Sequence, residues 1–210
     1  MTTASPIITP ELIKSALTYE QYIQRSADLF AQGRSTSDDP HYNTPEILHY
    51  TKLNLQRMRR LDKTTVVSDE LVAAVRNLSG RYVWLVLTES WCGDAAQCVP
   101  VLHQIAASSP SIQFRLLLRD QHPDLMNAYL TNGGRSIPKL ICLRADDLTE
   151  LGTWGPRPAA LQTLMAQWRT ESVPFPELLE RVQRWYNDDR SQSLQTELLA
   201  LVRAWSGRSD

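Results

Sequence analysis

The residues best suited to chemistry lie in the stretch 83–100, where an apolar run leads directly into Trp91, Cys92 and Gly93. The run has the length of a buried strand, and the segment after Gly93 is compatible with a helix. This order predicts that the Cys92 thiol lies at the first turn of a helix, where free backbone N–H groups and the helix dipole favour the thiolate. Because the thiolate is the nucleophilic form of cysteine, Cys92 is the candidate catalytic residue.

A partner thiol for Cys92 is missing at the position where a dithiol redox site needs it. Ala95 stands three residues after Cys92, and the next thiol, Cys98, stands six residues after it. On a helix, six residues correspond to about 240° of rotation and about 9 Å of rise. A disulfide needs Cα atoms roughly 4.4–6.8 Å apart, so the first turn would have to unwind before Cys98 could resolve a disulfide at Cys92. We interpret Cys98 as a buried structural thiol, with the resolving role as the alternative.

Asp94 leaves the reactivity of Cys92 open. A carboxylate two residues after a thiol raises the pKa of that thiol and opposes the helix dipole. The same carboxylate could instead cap free N–H groups of the first turn and stabilise the helix. We favour a reactive Cys92, and an inert cysteine in a fold used for binding is the alternative.

The composition excludes several classes of function. The chain has 210 residues and a formal net charge of -1, so no general attraction to nucleic acid or to an anionic membrane is expected. No apolar run approaches the roughly 20 residues that span a bilayer. The N-terminus has no basic stretch followed by an apolar core, so it does not predict a signal peptide. Three cysteines argue against a disulfide scaffold and indicate a reducing, cytoplasmic location.

The chain divides into three regions by hydrophobic pattern. Residues 1–63 form a helical extension, 64–170 alternate between strand and helix, and 171–210 are helical again. In the first region, one helix is predicted from Thr9 to about Leu29 and a second from about Thr44, with the loop Ser35–Pro40 between them. In the middle region, the predicted strands are Tyr82–Leu87, Ile112–Leu118, Leu140–Leu143 and Leu148–Trp154. This alternation predicts an α/β fold in which the last two strands form a hairpin.

Three groups of residues give the middle region a resemblance to the thioredoxin superfamily. They are Trp91-Cys92-Gly93, Pro100 eight residues after the cysteine, and Ser136-Ile137-Pro138-Lys139-Leu140 before the hairpin. The longer string Trp91-Cys92-Gly93-Asp94-Ala95 resembles a bacterial group of thioredoxin family proteins that lacks the second active-site cysteine. The resemblance implies a thioredoxin-like fold with a central mixed sheet flanked by helices, here with helical extensions at both ends. It also implies that Pro100 kinks the active-site helix.

The resemblance also implies a role for each residue of the motif. Cys92 lies where the attacking thiol would be, and Trp91 is the aromatic residue against which a partner packs. Pro138 corresponds to the cis-proline, and the backbone of Ile137 to the segment that pairs with an extended substrate. The implied substrate-binding residues are Trp91, Gly93, Asp94, Ile137 and Pro138.

Two departures from the family pattern point away from a general dithiol reductase. Ala95 replaces the resolving cysteine, so Cys92 cannot close the usual small-ring disulfide. Val86 stands where the family often has a buried carboxylate, which is not needed where there is no second cysteine. We therefore expect thiol–disulfide exchange through Cys92 alone, with an external thiol as the resolving group. The alternative is a redox-silent binding module that holds a peptide or protein on the Trp91–Pro138 face.

Other candidate groups predict little chemistry. The four histidines share no metal-ligand spacing with the cysteines, so no zinc site is expected. Thiol–disulfide exchange requires no cofactor, and none is expected. Carriage of an iron–sulfur cluster or metal by the single thiol is a third possibility, although Asp94 and Ala95 stand where monothiol glutaredoxins have phenylalanine and serine. The expected partners are a protein or a low-molecular-weight thiol or disulfide, and the oligomeric state is left open. Arg119–His122 ends a predicted strand and is interpreted as a solvated turn.

Overall fold

The computed structural model describes residues 7–207, and its centre is a sheet of four strands. The strands are β1 (Tyr82–Thr88), β2 (Ile112–Leu118), β3 (Lys139–Arg144) and β4 (Glu150–Trp154). Their order in the sheet is β2-β1-β3-β4, with β1 parallel to β2 and antiparallel to β3, and with β3 antiparallel to β4. The predicted α/β fold with a mixed sheet and a final hairpin is confirmed.

Helices flank this sheet and make up both ends of the described chain. They are α1 (Pro10–Ser15), α2 (Tyr19–Ala31), α3 (Pro45–Thr64), α4 (Asp69–Arg76), α5 (Gly93–Ala107), α6 (Pro123–Ala128), α7 (Ala159–Thr170), α8 (Phe175–Asp189) and α9 (Gln192–Ser206). Short 3-10 helices span Pro40–Asn43 and Arg119–Gln121. Within residues 7–207, none of these helices combines the length and the apolar character needed to cross a membrane.

The core is centred on β1 and α5, the two elements that meet at Cys92. Every residue of β1 is buried, and Trp84, Leu85, Val86 and Leu87 are fully inaccessible. A strand buried on both faces must be apolar throughout, which explains why the sequence before Cys92 shows no alternation. Pro100 lies inside α5, as the resemblance implied.

The periodicity predicted one helix from Thr9 to about Leu29, but the structure has two helices, α1 and α2, in this region. The chain leaves the helix after α1, and Leu17 exchanges two backbone hydrogen bonds of 2.9 Å with Leu116 on the edge of the sheet. Thr18 then starts α2 with a capping box in which its hydroxyl accepts from the Gln21 backbone N–H. The apolar residues continue at helical spacing across this break, so the periodicity alone could not locate it.

The C-terminal region packs into the core through α9. Trp205 is 2% exposed and lies edge-on to Trp84 of β1, with ring centroids 6.0 Å apart. A Cβ on Gly152 of β4 would lie 2.5 Å from the Trp205 indole nitrogen, so only glycine leaves room for that ring. The helical end of the described chain is therefore part of the hydrophobic core. The domain boundaries expected from the sequence stay a prediction, and residues 1–6, on which the expectation of no signal peptide rests, lie outside the described residues.

Candidate functional site

Cys92 lies between the end of β1 and the start of α5, at the N-cap position of that helix. Its sulfur accepts a hydrogen bond from the backbone N–H of Ala95 at 3.5 Å. The thiol donates to the backbone carbonyl of Ile137 at 3.3 Å. The thiol therefore lies at the helix start that the sequence predicted, and it contacts the loop before β3.

The loop opposite Cys92 carries Ile137 and Pro138, and the peptide bond between them is cis. Gly155, after β4, supports this loop from behind with a φ of +113°. A Cβ at Gly155 would lie 2.2 Å from the Pro138 carbonyl oxygen, which is far closer than non-bonded atoms approach. Glycine at this position is what allows the chain after β4 to pass directly behind Pro138.

Burial of the Cys92 thiol opposes the stabilisation of the thiolate that was expected from the helix start. Burial raises the pKa of Cys92 to about 12, and the Asp94 carboxylate adds to this effect. The backbone N–H groups of Ala95 and Asp94 and the Arg157 guanidinium lower the pKa, but by less. With only 9% of the residue exposed, loss of water around the sulfur outweighs the helix dipole.

Asp94 is held by two residues from the last third of the chain. Arg157 makes an ion pair with it, donating from Nε at 3.0 Å, and a second nitrogen of the same guanidinium contacts the same oxygen. The hydroxyl of Tyr186 on α8 donates to the other carboxylate oxygen at 2.7 Å. Next to this pair, Gln97 donates to Gln183 of α8 at 2.8 Å. The Cys92 sulfur occupies the N-cap that Asp94 was considered to provide, and Asp94 instead fastens α8 to the first turn of α5.

Trp91 is covered by the N-terminal region of the chain. The Tyr42 ring stacks on the indole with centroids 4.0 Å apart and an interplanar angle of 10°. The Arg119 guanidinium lies 4.6 Å from the Trp91 centroid and donates to the Tyr42 hydroxyl at 3.0 Å. Arg119 also donates to the Arg135 carbonyl at 3.2 Å, in the loop that leads to Ile137. The interpretation of Arg119 as part of a solvated turn is wrong, because its side chain is 11% exposed and joins three segments around the site.

Glu89 is a buried carboxylate at the end of β1 that the sequence analysis did not single out. It is fully inaccessible, accepts the Asp120 backbone N–H at 2.9 Å, and accepts the Thr36 hydroxyl. Burial raises the pKa of Glu89 to about 7, although the hydrogen bonds from Asp120 and Thr36 oppose the rise. Thr36 also exchanges hydrogen bonds with Ser90, so the predicted loop after α2 is buried and clamped to the segment before Cys92.

The other two cysteines lie in the core. Cys98 and Cys142 are both fully inaccessible, and all three cysteines are free thiols. The Cys98 sulfur lies 3.6 Å from the Tyr186 hydroxyl, which also donates to Asp94. Burial raises the pKa of both thiols well above the ordinary value. Full burial favours the structural role of Cys98 over the resolving role, and this interpretation stays a prediction.

The structure brings the sequence-predicted residues together, and it adds residues that the sequence did not indicate. Cys92 and Ile137 are in direct contact. Trp91, Gly93 and Pro138 are their immediate neighbours in the chain, and Asp94 follows Cys92 by two residues. The residues that sequence reasoning missed are Tyr42, Glu89, Arg119, Arg157 and Tyr186. Only Glu89 carried a usable signal, since a charged residue between a buried strand and Trp91-Cys92 is unusual. The other four residues are more than 25 residues from Cys92 in the sequence, and no local sequence pattern indicates that they contact the site.

Two solved structures resemble this chain. One is a protein of unknown function from Pseudomonas aeruginosa, with a TM-score of 0.52 and 16% identity over 89% of this chain and 98% of that one. The other is an HIV epitope-scaffold, with a TM-score of 0.52 and 16% identity over 84% of this chain and 96% of that one. At this identity, the two likenesses concern the fold alone. No curated protein matches the chain.

A family model provides the assignment that these structures do not. The model described as Thioredoxin matches residues 42–169, which is more than half of the chain. The match includes the whole sheet, Cys92 at the start of α5 and the cis peptide bond before Pro138. Sequence, fold and site geometry agree that this chain belongs to the thioredoxin family.

Proposed function

We propose that this chain carries out thiol–disulfide exchange through Cys92 alone, with an external thiol in the resolving role. The observation that carries the proposal is the 3.3 Å contact between the Cys92 sulfur and the Ile137 carbonyl. This contact puts the nucleophile beside the backbone segment that would align the disulfide of a partner. Ala95, in place of a second cysteine, makes the external thiol necessary.

The exchange consists of two balanced steps. In the first, Cys92 attacks one sulfur of a partner disulfide, a mixed disulfide forms at Cys92, and the other sulfur leaves as a thiolate that takes the proton Cys92 gave up. In the second, an external thiol attacks the mixed disulfide, joins the partner sulfur, and returns the proton to Cys92. The sum is one disulfide exchanged for another, with no net oxidation of the protein.

The small fraction of Cys92 that is ionised limits the rate of this exchange. With its pKa raised to about 12 by burial, Cys92 is almost entirely in the thiol form at pH 7. The thiolate that does form accepts the Ala95 N–H and lies close enough to Arg157 for the guanidinium to favour it. We expect exchange that is slow at neutral pH and accelerates as the pH rises.

The surroundings of Cys92 favour a small partner over a protein. A protein partner would pack on Trp91, but Tyr42 and Arg119 occupy that indole. On the other side, α8 lies against the first turn of α5 through Tyr186 and Gln183. A low-molecular-weight thiol or disulfide needs less free surface than an extended peptide does. Three free cysteines suit a reducing compartment, so we place this activity in the cytoplasm.

The redox-silent binding module remains as the second candidate, because burial of the Cys92 thiol suits a cysteine without chemistry. The two candidates differ in what Cys92→Ser does. If the site performs exchange, this substitution abolishes the reaction and leaves the fold intact. If the site only binds, the partner is retained by Cys92→Ser and lost by Trp91→Ala.

The proposed exchange is tested with N-acetylcysteine in mixed disulfide with mercaptoethanol, and with excess mercaptoethanol as the external thiol. The release of free N-acetylcysteine is measured for the wild type and for Cys92→Ser, Cys98→Ser and Cys142→Ser. We expect acceleration by the wild type and by the last two variants, and none by Cys92→Ser. Equal rates for the wild type and Cys92→Ser would overturn the proposal.

A further inference from the structure

A cavity of about 440 Å³ opens directly beside the residues that follow Cys92. Gly93 and Asp94 form one wall, and the facing walls come from α7, α8 and the segment between them. We call this cavity the α7–α8 pocket. Its apolar lining consists of Met165, Val173, Phe175, Leu178, Leu179 and Val182. The volume lies in the range of about 300–1,000 Å³ that is usual for small-molecule sites.

The pocket is apolar inside and carries positive charge at its edge. Arg157 and Arg169 both line it, but Arg157 is committed to Asp94. Within residues 7–207, the Arg169 side chain has no ion pair and no hydrogen bond. A guanidinium without a partner at the mouth of an apolar cavity matches a ligand carboxylate, which it can hold through two parallel hydrogen bonds.

The position of the pocket relates it to the Cys92 chemistry. Gly93 and Asp94, the two residues that directly follow Cys92, line the pocket, so a ligand seated there lies beside the first turn of α5 that begins at the thiol. Phe175 is 64% exposed at the rim, which leaves an aromatic surface for the apolar part of a ligand. The Gln97–Gln183 hydrogen bond holds α8 at the side of the pocket. The site thus combines an apolar cavity, a free cation and a neighbouring thiol.

We propose that the α7–α8 pocket binds the non-reacting part of the Cys92 substrate, and that this substrate is a small thiol or disulfide with an apolar body and a carboxylate. This inference rests on the proposed exchange function and names its substrate class. The apolar body occupies the cavity, the carboxylate pairs with Arg169, and the sulfur meets Cys92. In the reaction, the substrate disulfide breaks, a mixed disulfide forms at Cys92, and the leaving sulfur takes the proton from Cys92.

The test compares disulfides that differ in charge. Dithiobis(nitrobenzoate) carries carboxylates on an aromatic body, dithiodipyridine is a neutral aromatic disulfide, and cystamine is cationic. Each rate is divided by the rate of the same reagent with free N-acetylcysteine, which removes differences in intrinsic reactivity. The variants are Arg169→Gln and, as a matched control, Arg184→Gln, an exposed arginine on α8 that does not line the pocket.

We expect the wild type to prefer the carboxylate reagent after this normalisation. Arg169→Gln should slow that reagent by about 3- to 10-fold, as the loss of one accessible charged hydrogen bond would, and should leave the neutral reagent unchanged. Arg184→Gln should change neither rate. Equal effects of Arg169→Gln on all three reagents, or no effect on any, would overturn the assignment of the pocket.

A binding measurement separates failure of the pocket from failure of the exchange function. Cys92→Ser is titrated with phenylpropionate, which has an apolar body and a carboxylate but no sulfur, and the Gly93 amide signal is followed by NMR. We expect saturable shifts at Gly93 that Arg169→Gln weakens. If these shifts appear and no disulfide reacts, the exchange function and the substrate class both fall. If disulfides react at Cys92 and no shift appears, only the pocket assignment falls.

Discussion

The hydroxyl of Tyr186 donates a 2.7 Å hydrogen bond to Asp94, two residues after Cys92. Tyr186 lies on α8 in the C-terminal helical region, 92 residues from Asp94. The same carboxylate binds Arg157, so its charge is fixed close to the sulfur. The C-terminal helices therefore contribute to the electrostatics of the Cys92 site as well as to the core.

We predict that Asp94→Asn lowers the pKa of Cys92. The Asp94 charge raises that pKa, whereas burial, the larger cause, stays in place, so the variant thiol should still titrate above the ordinary range. The measurement is the rate of alkylation against pH in a Cys98→Ala, Cys142→Ala background. Each unit by which the pKa falls raises the thiolate fraction about tenfold at a given pH below it.

Tyr186→Phe is the control for the Asp94→Asn result, because it removes the Tyr186–Asp94 hydrogen bond between α8 and α5 while it keeps the Asp94 charge. If the charge governs the thiol, Tyr186→Phe leaves the alkylation rate near that of the wild type. If Tyr186→Phe speeds alkylation as much as Asp94→Asn does, the faster reaction reports access to the sulfur, and the electrostatic account of Asp94 is wrong.

Ala95→Cys should convert the single-thiol site into a dithiol site. Ala95 is fully buried, and its backbone nitrogen lies 3.5 Å from the Cys92 sulfur, so a thiol at this position starts close to the nucleophile. We expect a mixed disulfide at Cys92 to be released without an external thiol, which leaves an internal disulfide that mass spectrometry detects. The matched control is Ala96→Cys, one residue further round the helix, which should still require the external thiol. Identical behaviour of the two variants would show that the first turn lacks the geometry we describe.

Gly155→Ala should destabilise the protein by at least about 2 kcal/mol, because the new Cβ would collide with the Pro138 carbonyl. The measurement is the free energy of unfolding in urea. Gly133→Ala is the matched control, since Gly133 also has a positive φ, of +76°, but has nothing within 4 Å of its Cβ position. It should cost only the backbone strain, about 1 kcal/mol. If Gly155→Ala and Gly133→Ala lower the free energy of unfolding equally, close packing behind Pro138 contributes nothing to stability.

Glu89 should make the protein less stable as the pH rises from about 4.5 to about 7. Its pKa in the folded state is raised, to about 7, above the ordinary value of 4.5, so in this window the native state binds the proton that the unfolded state has lost. Ionising the buried carboxylate at higher pH therefore costs stability. Glu89→Gln removes this titration, and its unfolding free energy should fall less across the window than that of the wild type.

The control for Glu89→Gln is Glu180→Gln on the exposed face of α8, which should keep the pH dependence of the wild type. A Glu89→Gln protein with an unchanged pH dependence would show that the Glu89 carboxyl titrates as an exposed one does. The buried clamp between Glu89 and Thr36 would then not hold in solution.

The parts of the fold that could be predicted from the sequence are those that depend on residues close together in the chain. An unbroken apolar strand before Cys92, turn residues between β3 and β4, and a proline before β3 each act through their own neighbours. The position of Cys92 at a helix start followed from these signals, and the loop opposite it followed from the resemblance to the thioredoxin superfamily. Even here the end of α1 was missed, because the pairing of Leu17 with Leu116 depends on a strand about 100 residues later.

The surroundings of Cys92 were not predictable, because helical periodicity identifies an apolar face but not what that face packs on. Nothing near Tyr42 indicates that its ring stacks on Trp91, and nothing near Tyr186 indicates Asp94. The pKa of Cys92 depends on this packing. The helix start was visible in the sequence, whereas the burial that outweighs it was not.

The most direct test of a reactive Cys92 is to trap its mixed disulfide in the folded protein. The Cys98→Ala, Cys142→Ala protein is exposed to hydroxyethyl disulfide at alkaline pH, and its intact mass and cleaved peptides are measured before and after mercaptoethanol is added. The account predicts one adduct, on Cys92, that forms faster as the pH rises and disappears with the external thiol. A folded protein that forms no adduct, while the same protein in denaturant does, would contradict it.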